Sequence, residues 1–174
     1  MRILVVVASR HGSTWEIGEV VSDALTSRGH LVDQRAPEDV ASLEGYDAVV
    51  LGSAVYLAHW MSSARDFADR FSEQLARIPV WMFSCGLATQ PAASANSPHE
   101  LLALRDLIGA RGHRSFRGRL DRALLTFAER AAIAGARARE GDHRDLAAVR
   151  AWGLGVADDL AAHPVVDAER HAAV

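Results

Sequence analysis

The feature that most constrains the fold is a strand, loop and helix pattern at the start of the chain. Residues 3–8 form an uninterrupted apolar run rich in β-branched side chains, which is typical of a parallel strand buried on both faces. After a short polar loop, apolar residues recur at helical intervals over residues 17–25 and stop before Gly29. Ser13 and Glu16 have the spacing of a capping box, which predicts a helix beginning at Ser13. A buried parallel strand needs parallel neighbours, so the pattern predicts an α/β sheet.

Further strands and helices alternate along the rest of the chain. Strands are predicted over residues 30–35, 47–52, 78–84 and 113–120, and helices are predicted to begin near Ser62, at the Ser97-Pro98 pair and after Asp142. Alternation of this kind predicts right-handed crossovers, with helices on both faces of a parallel sheet. Five strands match the flavodoxin-like order 2-1-3-4-5 better than a six-stranded dinucleotide fold. We therefore expect an α/β three-layer sandwich with a five-stranded parallel sheet.

The length of 174 residues fits one domain and excludes two full ones. We expect that domain to span residues 1–163, with residues 122–140 as an added helical segment. Residues 164–174 are predicted to be a flexible tail. The apolar run at the start is too short for a signal peptide or a membrane span, so we expect a cytoplasmic protein with no integral membrane segment.

Composition removes several classes of function. The net charge of −3 and the absence of a basic run argue against nucleic acid as a partner. All 19 basic residues are Arg, so the Lys of a P-loop is missing and P-loop nucleotide hydrolysis is excluded. The single cysteine, Cys85, excludes an intrachain disulfide and a four-Cys zinc site. The histidines have no metal-binding spacing, so no metal site is expected.

The loop after the first strand has the residues of an anion site. It contains Ser9, Arg10, His11, Gly12, Ser13 and Thr14. Hydroxyl groups, a glycine and the amide groups of a helix N-terminus together suit a phosphate monoester. The Gly-x-Gly-x-x-Gly pattern of pyrophosphate sites is missing, which favours a mononucleotide over NAD. The alternative is that Ser13 only caps the helix and Gly12 only turns the chain.

Two more loops should meet the first at the carboxyl edge of the sheet, where open α/β sheets bind ligands. The loop after the third strand carries Tyr56 and Trp60, on which a flat apolar ligand could stack, or which could simply cover the sheet end. The loop after the fourth strand begins Ser84-Cys85-Gly86 and offers small residues and free amides. No neighbouring cation lowers the pKa of Cys85 in the sequence pattern, which favours a thiol without a role in catalysis.

Four stretches together resemble the single-domain bacterial flavodoxin-like proteins, over about residues 3–160. More narrowly, they are similar to the menaquinone-dependent protoporphyrinogen IX dehydrogenase branch. The stretches are the first loop, residues 53–60 with Ala64 and Phe67, residues 116–121, and residues 141–145. The resemblance implies bound FMN, with its phosphate on Ser9, Arg10, His11, Gly12, Ser13 and Thr14. Its ring would lie between Ala54, Val55, Tyr56, Leu57 and Ala58 on one side and Ser84, Cys85, Gly86 and Leu87 on the other.

The resemblance also implies a function. The chain would be a flavin-dependent oxidoreductase that passes electrons from a reduced small-molecule substrate through FMN to a quinone. The apolar stripe within residues 122–140 would then be a docking surface or quinone entrance with peripheral membrane contact, or else a helix packed on its own domain. Two departures from the family pattern are His11, where flavodoxins usually have Thr, and Leu57-Ala58-His59, which replaces a glycine-containing turn.

Two alternatives therefore stay open. One is an electron-transfer flavodoxin without a substrate of its own, although such shuttles usually have a more acidic docking face than a net charge of −3 indicates. The other is a flavodoxin-like module without a cofactor, which the two departures support. The sequence does not identify the electron donor or acceptor.

Overall fold

The computed structural model describes residues 1–56, 58–86, 100–135 and 139–163. Within these ranges the centre is a five-stranded parallel sheet with one short antiparallel strand added. The strands are β1 Arg2–Ala8, β2 Leu31–Arg35, β3 Ala48–Tyr56, β4 His59–Trp60, β5 Val80–Gly86 and β6 Gly112–Arg117. Their order is β2-β1-β3-β5-β6, and β4 pairs with the end of β3. Because β5 and β6 are the fourth and fifth parallel strands, the predicted flavodoxin-like order is confirmed.

Helices cover both faces of the sheet, as the alternating pattern predicts. The helices are α1 Ser13–Thr26, α2 Ser62–Arg70, α3 Ser72–Leu75, α4 Glu100–Leu107, α5 Phe127–Gly135 and α6 Leu146–Ala162. Alternate side chains of β1 enter two separate cores, one formed with α1 and α6 and the other with α2, α3 and α4. A Cβ at Gly153 of α6 would lie 2.8 Å from the Cβ of Ala24, so a glycine there lets α6 pack closely on α1.

Residues 118–145, between β6 and α6, form a segment that contacts the first loop and is called the excursion. It contains β7 Arg119–Leu120 and β8 Gly141–Asp142, which pair with each other, and α5 between them. The helix α5 lies inside the predicted helical segment 122–140. The assignment of residues 1–163 as one domain stays a prediction, and the predicted tail 164–174 and the Ser97-Pro98 helix start lie outside the described residues.

Two predicted caps are wrong. The last helix begins after Asp145, whose carboxylate accepts the Ala148 amide at 2.9 Å, because Asp142 is held in the β7 and β8 pair. At α1 the N-cap is Gly12, and no side chain caps the helix. Among the described residues, no helix has both the length and the apolar content to cross a membrane.

Candidate functional site

The strand register brings the three predicted loops to one edge of the sheet. Ala8 of β1 lies beside Ser53 of β3, which pairs with Ser84 of β5, which in turn pairs with Ser115 of β6. The three loops therefore leave the sheet from one row of residues. This is the carboxyl edge at which open α/β sheets bind ligands.

The backbone of the first loop is shaped like an anion site. Gly12, the N-cap of α1, has a φ of 81°, a left-handed conformation that favours glycine. A Cβ at this position would have only Glu16 within 4 Å, so the left-handed backbone and not crowding by protein atoms calls for glycine. The helix has no side-chain cap, so its first amide groups can donate hydrogen bonds to an anion.

The hydroxyl groups of Ser13 and Thr14 turn inward. Ser13 Oγ accepts the Arg119 amide at 2.9 Å. Burial raises the pKa of the Cys85 thiol, and the hydroxyls of Thr14 and Ser13 oppose this rise. The thiol is therefore kept protonated, as its sequence context indicates, and Ser13 fastens the loop to β7.

Arg10 and His11 of the first loop meet a carboxylate that sequence analysis did not single out. Arg10 Nη1 lies 2.9 Å and His11 Nε2 lies 3.1 Å from the same oxygen, Oε1 of Glu129 in α5. The other oxygen, Oε2, accepts the amide and the hydroxyl of Thr126 at 2.8 and 2.9 Å. The Thr126 amide, followed by Arg10 and His11, lowers the pKa of Glu129 to about 2. Because the ionised carboxylate only accepts, His11 Nε2 carries the hydrogen in this contact.

Tyr56 joins the first loop to the second. Its ring centroid lies 6.3 Å from that of His11 in an edge-on arrangement, and the Arg10 guanidinium carbon lies 5.6 Å from it. Burial, and then the charge of Glu129, raise the pKa of Tyr56 to about 12. The phenol is therefore neutral at physiological pH and presents a half-buried aromatic surface beside Arg10 and His11.

The second loop turns tightly after Tyr56. Ala58 has a φ of 64°, the only positive φ among the described residues other than glycine, and β4 begins at the next residue. The turn thus needs the left-handed backbone that a glycine would adopt without strain. Ser53 Oγ accepts the Met61 amide at 3.0 Å, and Glu100 accepts the Trp60 amide at 2.7 Å. These contacts fix the loop on the sheet and on α4.

A buried hydrogen-bond chain links the second and third loops. Trp60 Nε1 donates to Ser84 Oγ at 2.8 Å, and Ser84 Oγ lies 2.8 Å from His113 Nε2. An indole N–H can only donate, so Ser84 accepts from it, and the same hydroxyl also bonds to His113. Burial lowers the pKa of His113 to about 4, so the imidazole is neutral at physiological pH. Trp60 packs at the sheet end, where its side chain is almost fully buried.

The remaining predicted site residues are placed as follows. Ala54 pairs with Cys85 across β3 and β5, Val55 is half-buried beside it, and Gly86 ends β5. Leu57 and Leu87 lie outside the described residues. No group of three or more potential metal-ligating side chains occurs in the described ranges.

The sequence carried a partial signal for Glu129. Thr126 and Glu129 have capping-box spacing, which predicts the start of α5. No local pattern could pair Glu129 with Arg10, which is 119 residues away in the chain. The same holds for Glu16, which binds Arg119 and Arg144 from the far end of the chain at 3.0 and 2.6 Å.

The family model described as "Flavodoxin domain" matches residues 4–147. The chain belongs to the flavodoxin domain family. Members of this family bind a flavin, typically FMN, which supports a flavin-binding redox protein. No match was found among curated proteins.

Solved flavodoxins share the fold at low sequence identity. A flavodoxin from the domain Archaea has a TM-score of 0.66 at 15% identity, over 92% of this chain and 99% of that one. A flavodoxin, WrbA-like protein from Agrobacterium tumefaciens has a TM-score of 0.61 at 16% identity, over 93% and 98%. A flavodoxin from Streptococcus pneumonia TIGR4 has a TM-score of 0.59 at 16% identity, over 93% and 99%.

The residues present fit FMN. The uncapped N-terminus of α1 and the left-handed Gly12 offer a backbone cradle for a phosphate, with Arg10 and His11 beside it. Tyr56 offers an aromatic surface next to that cradle. Two carboxylates among these described contacts have charges that oppose a phosphate, Glu129 and Glu16. Glu16 would lie 4.0 Å from a Cβ at Gly12, and it is already paired with Arg119 and Arg144.

Proposed function

We propose that the chain is a cytoplasmic FMN-dependent oxidoreductase of the kind that it resembles, protoporphyrinogen IX dehydrogenase with a quinone acceptor. One observation supports the proposal most: three loops converge at the carboxyl edge, and the first leads into an uncapped helix N-terminus next to Arg10 and His11. Family membership supports the flavin, and the sequence resemblance supports the narrower reaction.

Each loop has its own task in this proposal. The amides of residues 12–14, with Arg10 and His11, hold the phosphate, and Ser9 adds a hydroxyl at the mouth. The second loop, from Ala54 to Ala58, and the third loop, from Ser84 to Leu87, hold the ring and exclude water from it. When bound, FMN supplies the electron transfer, accepting electrons from a reduced substrate and passing them on. The assigned residues position and shield the flavin, and none needs to be a catalytic acid or base.

The exposed part of the excursion suits an apolar acceptor. Phe127 is 89% exposed and Leu124 is half exposed, whereas Leu125 beside them is buried. Of the two interpretations of this segment, the exposed side chains favour a contact surface over a helix fully packed on its own domain. We assign this surface to the quinone, with peripheral contact to a membrane as the route by which a lipid-soluble acceptor reaches it.

Flavin binding is tested first. The protein is purified and titrated with FMN while the visible absorption and the quenching of flavin fluorescence are followed. Gly12→Asp puts a carboxylate at the phosphate cradle and should abolish binding, whereas Gly12→Asn, of similar size, should weaken it less. Gly29→Asp is the matched control, because Gly29 has a φ of 85° at the other end of α1 and a Cβ there would have no atom within 4 Å. Undiminished affinity in Gly12→Asp refutes the assignment of the loop.

The reaction is tested next. With FMN bound, anaerobic addition of protoporphyrinogen should bleach the flavin absorption, and menaquinone should restore it. Bleaching by a chemical reductant but not by the porphyrinogen would instead favour an electron-transfer flavodoxin, the fold of which the solved structures share. A protein that leaves FMN fluorescence unquenched at every concentration refutes both redox functions.

A further inference from the structure

We infer that Glu129 is a specificity-determining residue of the flavin site, an internal carboxylate that competes with the flavin phosphate for Arg10 and His11. The inference rests on the proposed function, since it assigns the first loop to a phosphate. It means that Glu129 limits the part of the flavin affinity that comes from the phosphate and leaves the part that comes from the ring unchanged.

The geometry supports competition. Arg10 and His11 both direct nitrogen atoms to Oε1 of Glu129, at 2.9 and 3.1 Å. The Glu129 side chain is only 14% exposed and that of His11 is 21% exposed, so the His11 contact is shielded from solvent, whereas Arg10 is 58% exposed. A carboxylate and a phosphate make the same kind of charge-assisted bond to a guanidinium group or a protonated imidazole. Neither Arg10 nor His11 can serve the phosphate fully while Glu129 holds it.

The placement of Glu129 is fixed by its own helix. Its second oxygen is held by the amide and hydroxyl of Thr126, the residue that precedes α5. The carboxylate is therefore already oriented toward the loop, and no side-chain freedom is lost on making the contact. The charge of Glu129 lies 2.9 Å from Arg10 Nη1 and 3.1 Å from His11 Nε2, so it also repels a phosphate that these two side chains would bind.

Glu129→Gln separates the capping of α5 by this side chain from the effect of its negative charge. Glutamine serves as well as glutamate in a capping box, so the start of α5 is retained. The neutral amide no longer forms a charged pair with Arg10 or His11, and it does not repel a phosphate. The matched control is Glu140→Gln, which removes the same charge from the same excursion. Glu140 contacts Arg122, with its oxygens 3.3 Å from the amide and 3.9 Å from Nε, and not the first loop.

The experiment compares two flavins on three proteins. FMN and riboflavin have the same ring, and only FMN has the phosphate, so the ratio of their dissociation constants isolates the phosphate. For Glu129→Gln we expect FMN to bind about tenfold more tightly and riboflavin to be unchanged. For Glu140→Gln both constants should equal those of the wild-type protein.

Other results overturn the inference in distinguishable ways. Weaker FMN binding in Glu129→Gln would mean that Glu129 positions Arg10 and His11 for the phosphate. Equal changes for FMN and riboflavin would mean that Glu129 acts on the ring site or on the fold. No change for either flavin would mean that no competition exists, while the proposed function stands. Absence of FMN binding to all three proteins refutes the proposed function and this inference with it.

A second measurement, amide hydrogen exchange, requires FMN binding but no enzyme activity. In the wild-type protein, FMN should raise amide hydrogen exchange over residues 126–131, because the phosphate replaces the carboxylate that fastens α5 to the loop. Glu129→Gln should show faster exchange there before FMN is added and little change afterwards. Protection of this stretch by FMN in the wild-type protein would contradict competition, because it would show the excursion closing on the flavin.

Discussion

The chain from Trp60 through Ser84 to His113 gives a stability prediction with a defined sign. Burial, and then the charge of Arg105, lower the pKa of His113 from 6.5 to about 4. The unfolded chain therefore binds a proton in a pH range where the folded protein does not. The contribution of His113 to the free energy of unfolding is complete above pH 6.5 and is lost as the pH falls toward about 4.

The size of the effect follows from the shift. At about 1.4 kcal/mol per pKa unit, the shift sets a ceiling of about 3 kcal/mol when the pH falls below both values. At pH 5 only part of the proton uptake has occurred, and the imidazole is half-buried, so solvent screens its interactions. We expect His113 to account for a loss of about 1 kcal/mol in the free energy of unfolding between pH 7.5 and pH 5.

The assay is urea unfolding at the two pH values for the wild-type protein and His113→Gln. Glutamine keeps a hydrogen-bonding group for the Ser84 hydroxyl but does not titrate. The other ionisable groups are the same in both proteins, so the difference between the two pH dependences isolates His113. Equal pH dependences for the two proteins, or an NMR titration of His113 near pH 6.5, would refute the reasoning.

Three further variants test the packing around the site by urea unfolding. Gly52→Ala places a methyl group inside the ring of Phe83, so it should cost about 2 kcal/mol or more, and a stability near that of the wild-type protein would contradict the close packing of β3 on β5. Arg144→Met removes from Asp142 and Glu16 a guanidinium that is only 5% exposed, although Glu16 keeps Arg119, and it should cost about 2 kcal/mol. Arg150→Met on the exposed face of α6 should be neutral. Ala58→Gly relieves a left-handed alanine and should raise the free energy of unfolding by up to about 1 kcal/mol; a loss of stability would show that the turn carries no strain.

The parallel sheet could be predicted because its evidence is local. The apolar run over residues 3–8 is buried along its whole length in β1, and the predicted strand over residues 47–52 falls in β3 except for its first residue. The pattern predicts a fifth strand over residues 113–120, but β6 ends at Arg117. Gly118 then donates its amide to Gly86, which closes the sheet before β7. A strand end set by a tertiary contact leaves no mark in the hydrophobic pattern.

The capping prediction at α1 failed for a related reason. Ser13 and Glu16 have the correct spacing, yet Ser13 accepts a bond from Arg119 and Glu16 pairs with Arg119 and Arg144. Both side chains are used by a segment more than 100 residues further along the chain. A local motif predicts the start of the helix correctly but cannot say which partner its polar atoms take. At a ligand-binding edge, that partner decides which groups are left for the ligand.

The excursion between β6 and α6 contacts the first loop and the first turn of α1 from its beginning, middle and end. Arg119 at the beginning bonds to Ser13, Glu129 in the middle holds Arg10 and His11, and Arg144 at the end binds Glu16. All three contacts fall within about two turns of chain around the N-terminus of α1, so the conformations of the loop and the excursion are coupled. A change in FMN affinity in Arg144→Met would therefore not make Arg144 a flavin ligand. Only an effect on FMN that riboflavin does not share distinguishes a group that meets the phosphate from one that holds the loop in shape.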